Sequence, residues 1–321
     1  MLLEGLQLPL TTPFYPDGRL NLLKLEHNVV RYSRTPVAGL VALSDSGEPT
    51  MLTEEETRQT LRCVADATAA EKVLMAGVWR DSVTGTLDLA EAAAKAGYDA
   101  VLVKRPSLFQ GSASEEHAKE LLTYFLSVAD RSALPVVLYC AGSECGGTLP
   151  VEIVTELAGH PQIIGMVDGV GGQERVRAIK AATTGVKRDV AVTAVFAAVT
   201  GRMQARSENA PGGLITTDTL TGGGTTLTVA PAKMAAKTRT KTIGFQILAG
   251  GTAGMLDALQ AGAVGAMPAF AASAPQACYE VLAAWKDGDE GLAREKRFDC
   301  TASRREWKRN SRWRGSSLAA I

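Results

Sequence analysis

Three polar features lie at or just after the ends of apolar stretches of the chain, and each of them could take part in catalysis or ligand binding. Tyr139 lies near the end of PVVLYC (135–140), and Lys104 follows the apolar letters of AVLVKRPS (100–107). A positioned phenol can transfer protons. An amine in an apolar setting has a lowered pKa and becomes a nucleophile. The third feature is the polar turn DSGE (45–48), where the backbone N–H groups of Ser46 and Gly47 can bind a carboxylate.

Each of these features also has a structural interpretation. Tyr139 fits equally well as an amphipathic packing residue at the rim of a barrel, and Lys104 can extend its ammonium group into solvent. Glu48 can cap the helix that follows the turn. Asp45 places a negative charge beside the proposed carboxylate site, which disfavours a bound anion unless Asp45 is protonated or paired.

The elements that carry these residues are predicted by short apolar runs that alternate with amphipathic segments. Strands buried on both faces are apolar throughout, which is typical of a parallel sheet covered by helices. Eight such runs, each followed by a helical pattern, predict a TIM (β/α)8 barrel. A doubly wound sheet is disfavoured because no G-x-G-x-x-G turn follows the first strand. The runs lie at 6–14, 39–44, 73–78, 100–106, 135–140, 163–168, 245–251 and 263–270.

Two regions interrupt this alternation. The first, 206–242, is rich in Thr and Gly and lacks aromatic residues, so it is predicted to be a low-complexity insertion between the sixth helix and the seventh strand. The second, 297–321, is a basic tail with interleaved tryptophans, a pattern that suits nucleic acid or a membrane surface. In a charge-balanced chain the prediction is instead a solvated terminus, which leaves a barrel over 1–296.

Bulk composition excludes several classes of protein. The 321 residues carry 34 basic and 34 acidic side chains, so no net charge attracts nucleic acid or an anionic membrane. No run of apolar residues is long enough to span a bilayer, and the N-terminus lacks the pattern of a signal peptide. The five cysteines indicate reduced thiols in a cytoplasmic protein, and Cys140 and Cys145 lack a histidine at metal-ligand spacing. We therefore expect no metal and no cofactor.

Several motifs taken together resemble the dihydrodipicolinate synthase / N-acetylneuraminate lyase family of class I aldolases. TTPFYPDGRL (11–20) is similar to the family's opening TPF…DG, and GLVALSDSGEPTMLTEEE (39–56) to its G-x-x-x-x-G-T-T-G-E…L-T-x-E-E. PVVLYCAG (135–142) is similar to P-x-x-x-Y-N-x-P, and IIGMVDGVGG (163–172) to x-x-G-I-K-D-S-S-G. The resemblance covers most of the chain outside the insertion and the tail, and it implies the same barrel.

In that family the lysine of G-x-K-D forms a Schiff base with a 2-oxo acid such as pyruvate. Aligning Gly165 and Asp168 places Val167 at the lysine position, and an isopropyl group cannot form an imine. The resemblance also implies that Tyr139 relays protons and that Asp45 and Ser46 replace two threonines of the substrate site. It further implies a homo-oligomer, either a tetramer or a dimer.

Three functional hypotheses follow. The first is a lyase or aldolase that acts on or binds a small 2-oxo acid at the C-terminal mouth of the barrel, through Lys104 as a substitute amine or through a non-covalent enolate. The second is a ligand-binding or regulatory relative without catalysis. The third is a phosphate-recognising barrel enzyme that uses the glycine turns of LAGGTAG (248–254) and AVGAMPAF (263–270).

Overall fold

The computed structural model describes residues 1–107, 115–140, 149–169, 172–209 and 238–300, without the side chains of 115–117 and 207–209. Its strands are β1 (Gly5–Pro9), β2 (Gly39–Ala42), β3 (Val73–Gly77), β4 (Ala100–Val103), β5 (Val136–Cys140), β6 (Ile163–Asp168), β7 (Arg188–Thr193), β8 (Thr238–Ile243), β9 (Gln246–Ala249) and β10 (Gly265–Ala266). Eight of them form a closed parallel barrel in the order β1-β10-β9-β6-β5-β4-β3-β2. The predicted TIM barrel is confirmed.

Helices connect the strands and cover the outer face of the barrel. They are α1 (Leu22–Ser33), α2 (Glu54–Ala67), α3 (Val83–Lys95), α4 (Glu115–Arg131), α5 (Val151–Ala158), α6 (Gln173–Ala182), α7 (Gly201–Asn209), α8 (Met255–Gln260) and α9 (Pro275–Lys286). Helix α2 begins with a complete capping box, in which Thr53 accepts the N–H of Glu56 and the Glu56 carboxylate accepts the N–H of Thr53. Thr53, rather than Glu48, therefore caps this helix.

Alternate residues of the barrel strands point into the lumen and form one buried cluster. On β3 they include Val73 and Met75, and on β5 they are Val137 and Tyr139. The intervening residues pack outward against the helices in a second, larger cluster. This alternation follows from the strand period of two, and it determines which side chains reach the mouth of the barrel.

The inserted segment includes more residues than its composition predicts. Strands β7 and β8 pair antiparallel with each other and lie outside the barrel sheet, and α7 follows β7. The chain therefore leaves the barrel after α6 and returns at β9, whereas the sequence placed the insertion at 206–242. The difference arises because the insertion was recognised by its Thr- and Gly-rich composition, which the RDVAVT sequence of β7 lacks. Residues 210–237 lie outside the described residues.

This inserted segment packs against the N-terminal end of the barrel. Val190 and Val192 of β7 form a small apolar cluster with Leu2. At the start of α7, the Asp99 carboxylate accepts the N–H of Gly201 at 2.9 Å and lies 3.3 Å from the guanidinium of Arg202. Burial raises the pKa of Asp99 above its ordinary value, although Arg202 opposes the shift. The insertion thus closes the end opposite to the mouth.

The C-terminal part continues beyond the predicted barrel boundary at residue 296. Residues 290–300 are helical, and the Cys300 Sγ lies 3.7 Å from the Cys278 Sγ of α9. The remainder of the predicted tail, 301–321, lies outside the described residues. Within the part that the structure describes, no helix is long and apolar enough to cross a membrane.

Candidate functional site

The candidate site lies at the C-terminal ends of β2 to β6, where parallel strands bring their following residues to one rim. Tyr139 and Val167 are direct partners in the β5–β6 register, and Val167 also pairs with Leu248 of β9. Val167 is completely buried in the lumen cluster. The isopropyl group thus occupies an inward position on the sixth strand, where it supplies neither a nucleophile nor a hydrogen bond.

A tryptophan that the sequence analysis did not single out packs beside these residues. The ring of Trp79 stacks on that of Tyr139, with 5.3 Å between centroids and 27° between planes. Trp79 is 8% exposed and Tyr139 is 9% exposed. The signal that could have found Trp79 is its parity, since it is two residues beyond the inward-facing Gly77 in AGVWRD.

Lys104 reaches the same rim, but its surroundings are not the apolar ones proposed from the sequence. Its Nζ lies 2.8 Å from Oδ1 of Asp45 and 4.7 Å from the ring centroid of Trp79. A carboxylate and an aromatic face both attract a positive charge. The sequence left open whether Asp45 is protonated or paired, and the structure pairs it with Lys104. The Lys104 nitrogen is therefore engaged with Asp45 and Trp79.

In the turn at 45–48, one of the two backbone donors proposed for a carboxylate already has a partner. Asp45–Gly47 is a short 3-10 helix, in which the Gly47 N–H donates to the Ser44 carbonyl at 2.8 Å. That N–H is therefore occupied by a local bond. The Gly47 carbonyl accepts the Thr12 hydroxyl at 2.6 Å, which ties the turn to the first strand region. Ser46 is partly exposed at the rim, and Glu48 adopts a left-handed φ of 49°.

Asp168 has a structural role at the end of β6. Its Oδ2 accepts the Arg175 Nε–H at 3.0 Å, and Arg175 also donates to the Leu149 carbonyl at 2.6 Å. The Asp168 carbonyl accepts the Gly250 N–H at 2.8 Å. A Cβ at Gly250 would lie 2.7 Å from the Cα of Gly169, so close packing of two loops accounts for this glycine. The glycine turn is thus already engaged, which weakens the phosphate hypothesis.

Two further sequence expectations concern titratable groups. Burial raises the pKa of the Cys140 thiol to about 11, so Cys140 is a packed thiol rather than a reactive one. Cys145 lies outside the described residues. Within the described ranges, no group of His, Cys, Asp or Glu side chains could hold a metal ion.

Comparison with known proteins gives the family. A sequence model of the dihydrodipicolinate synthetase family matches residues 2–189, which ends at the start of β7. A 4-hydroxy-tetrahydrodipicolinate synthase from Xanthomonas axonopodis pv. citri is 34% identical over 181 residues, covering 56% of this chain and 58% of the relative. An L-threo-3-deoxy-hexylosonate aldolase from Hypocrea jecorina is 30% identical over 185 residues, with 56% and 58% covered. The chain thus matches less than two thirds of the length of these relatives.

Solved structures extend the likeness of the fold beyond that matched region. YagE, a prophage protein of the dihydrodipicolinic acid synthase family from E. coli K12 in complex with pyruvate, superposes with a TM-score of 0.70 at 22% identity. The superposition covers 96% of this chain and 84% of that one. The 4-hydroxy-tetrahydrodipicolinate synthase from Methylacidiphilum fumariolicum SolV gives 0.69 at 21% identity, covering 92% and 78%. With a barrel of matching topology and a family match over more than half its length, this chain belongs to the dihydrodipicolinate synthetase family.

Proposed function

We propose that this protein is a lyase-type or aldolase-type member of its family that binds a small 2-oxo acid of the pyruvate class without forming an imine at residue 167. The observation that carries the proposal is the rim itself, where Lys104 and Tyr139 both contact Trp79 while Val167 is inert. The relatives support the chemistry, because they are named as a synthase and an aldolase. A similar structure is described in complex with pyruvate.

The charges at the rim suit an oxo acid held non-covalently. The Lys104 ammonium is the cation of the described rim that attracts the ligand's carboxylate or its oxo oxygen. If a proton is removed next to the oxo group, the same cation neutralises the developing enolate. Tyr139 is the residue that moves this proton, and the Ser46 hydroxyl supplies a further hydrogen bond. An incoming anion must share the Lys104 ammonium with the Asp45 carboxylate, which repels it. We therefore expect small ligands that bind with low affinity.

Ligand binding without catalysis is the second candidate function, and one observation favours it. Trp79 and Val167 present an apolar wall to the lumen at the rim, where the related chemistry needs an amine. A wall of this kind binds but does not activate a carbonyl group. The expected dimeric or tetrameric assembly and the cytoplasmic location stay predictions, and sedimentation velocity measures the first.

The test compares binding, adduct formation and proton exchange on the full chain. We expect pyruvate to raise the melting temperature saturably and borohydride to trap no adduct on Lys104. Lys104→Met should weaken the binding about tenfold or more, because a hydrogen bond to a charged group contributes about 1.5–3 kcal/mol. Lys95→Met, which removes an exposed lysine from α3, is the matched control.

Exchange of the pyruvate methyl protons for deuterium separates the two candidates. An enolate route gives exchange that Tyr139→Phe slows by about a hundredfold. Saturable binding with no exchange supports the non-catalytic candidate instead. No thermal shift with any small 2-oxo acid would contradict both, and a trapped adduct on Lys104 would contradict the non-covalent mode.

A further inference from the structure

We propose that Trp79 determines which ligands reach the inner rim: its indole ring fills the lumen beside residue 167 and confines a ligand to the outer side, at Lys104. The occluding role stands on the geometry of the barrel alone. Only the class of ligand that it excludes or admits rests on the proposed function. Trp79 is then a specificity-determining residue rather than a catalytic one.

Strand parity directs Trp79 into the barrel. Val73 and Met75 of β3 face the lumen. Gly77 ends the strand on the same side, and Trp79 continues this alternation two residues further on. Trp79 belongs to the same buried cluster as Tyr139 and Val167. A side chain with this direction and an exposure of 8% occupies the lumen instead of covering its rim from outside.

Gly77 shows how deeply the ring enters. A Cβ at Gly77 would lie 2.1 Å from the Leu43 carbonyl oxygen and 2.5 Å from Cζ3 of Trp79, closer than non-bonded atoms approach. The six-membered part of the indole therefore lies against the backbone at the last residue of β3. The absence of a side chain at Gly77 makes room for it.

Two neighbours hold the ring in this position. Tyr139 stacks on it, and the Lys104 ammonium lies 4.7 Å from its centroid. Lys104 is in turn bound to Asp45, and both members of this pair are partly exposed, at 21% and 27%. Solvent therefore reaches the ion pair but not Val167. Displacing the ring requires breaking contacts with Tyr139 and Lys104.

The direct test measures access to residue 167 by thiol labelling and needs no ligand. Val167→Cys is treated with a maleimide in the folded protein, and the modified peptide is quantified by mass spectrometry. Adding Trp79→Ala should raise the labelling rate at least about tenfold, because the rate of a buried thiol follows the opening equilibrium of the groups that cover it. Lys104→Met should raise it by a smaller factor.

Trp285→Ala in the Val167→Cys background is the matched control, since it removes a half-buried indole from α9, away from the mouth. Its labelling rate should stay within about twofold of the parent, as expected when local opening is independent. Equal rates with and without Trp79 would overturn the proposal. If Trp79→Ala does not fold, as judged by circular dichroism, Trp79→Leu replaces it and must still accelerate labelling.

A second arm links the occlusion to 2-oxo acids. Val167→Lys restores an amine at the inner rim, and borohydride trapping with pyruvate reports imine formation. We expect the Trp79→Ala, Val167→Lys double variant to form the adduct faster than Val167→Lys alone. Equal rates of adduct formation would count against occlusion. Accelerated thiol labelling without any adduct in the double variant would support occlusion and count against pyruvate as the ligand.

Discussion

At the residue scale, the rim differs from an imine-forming site through a small number of side chains that depend on one another. Val167 supplies no nucleophile of its own, and Trp79 belongs to the same buried cluster. Asp45 forms an ion pair with Lys104 at this rim. The Lys104 ammonium is attracted both by the Asp45 carboxylate and by the face of the Trp79 ring. Substituting one of these residues therefore leaves a charged group without its partner.

The Lys104–Asp45 pair is predicted to couple more strongly than a surface ion pair. A double-mutant cycle with Lys104→Met and Asp45→Asn should give a coupling of about 1 kcal/mol at low salt, because both side chains are largely withdrawn from water. Urea unfolding of the four variants measures it. The Lys95–Glu91 pair on α3, which is much more exposed, should couple by only about 0.3–0.5 kcal/mol. Equal coupling in the two pairs would contradict the prediction.

At the element scale, the inserted ribbon of β7 and β8 is held to the barrel by charged contacts. Arg188 donates to the carbonyls of Ala158 and His160, at 2.8 Å each. On the other strand, Lys241 of β8 lies 2.9 Å from Glu4, and Lys286 of α9 lies 2.8 Å from the same carboxylate. Glu4 therefore joins the insertion, the first strand and the last helices.

The Glu4 contacts predict a pH dependence of stability. Burial by itself raises the pKa of Glu4, but the bonds from Lys286 and Lys241 outweigh it, so the pKa lies below its ordinary value of 4.5. A carboxyl group whose pKa is lower in the folded state stabilises the fold above the unfolded pKa, and this contribution is lost as the pH falls through the folded pKa. Wild type should be more stable than Glu4→Gln at pH 7, by urea unfolding.

The same comparison at acid pH supplies the control. The difference in unfolding free energy between wild type and Glu4→Gln should shrink steadily below pH 4.5. A difference that stays constant from pH 7 to the acid limit would show that Glu4 acts through packing rather than charge.

At the scale of the whole molecule, the barrel closes through strands on both sides of a long insertion. The family match ends at residue 189, yet β9 and β10 complete the ring next to β6 and β1. Gln246 of β9 is buried, and its amide joins this late strand to the N-terminus. Its Oε1 accepts the Leu3 N–H at 2.7 Å, and its Nε2 donates to the Met1 carbonyl at 3.1 Å.

Gln246→Leu is predicted to destabilise the barrel by about 1–3 kcal/mol, because it leaves the buried Leu3 N–H without its partner. Equilibrium urea unfolding measures this loss. Gln276→Leu on α9, where the glutamine is exposed and bonds to Glu280, is the matched control. Its effect should remain within about 0.5 kcal/mol. Similar effects of the two substitutions would mean that Gln246 does not contribute to closure.

Much of the fold was predictable from the sequence because its determinants are local. Apolar runs of strand length, followed by helices with caps such as Thr53–Glu56, specify a parallel barrel without any knowledge of contacts. The position of Val167 was predictable from the resemblance, because aligning Gly165 and Asp168 with the family motif defines it. The strand period alone does not, since the β5–β6 register shifts near the start of β6 and Ile164 and Val167 both belong to the lumen cluster. The extent of the insertion was not predictable, because β7 lacks the Thr- and Gly-rich composition that marked it, and only the strand pairing shows that β7 lies outside the barrel.

The chemistry of the rim depended on the tertiary structure. Lys104 and Asp45 are separated by 59 residues along the chain, and only closure of the barrel brings their charges together. The Gly47 N–H was a candidate donor until the turn conformation directed it to Ser44. The sequence by itself determined the type of barrel, because local periodicity specifies it, and the inert valine of the sixth strand, because the family motif aligns with it. Tertiary structure decided that Trp79 joins the lumen cluster and that Lys104 pairs with Asp45, because these contacts exist only between segments that are distant along the chain.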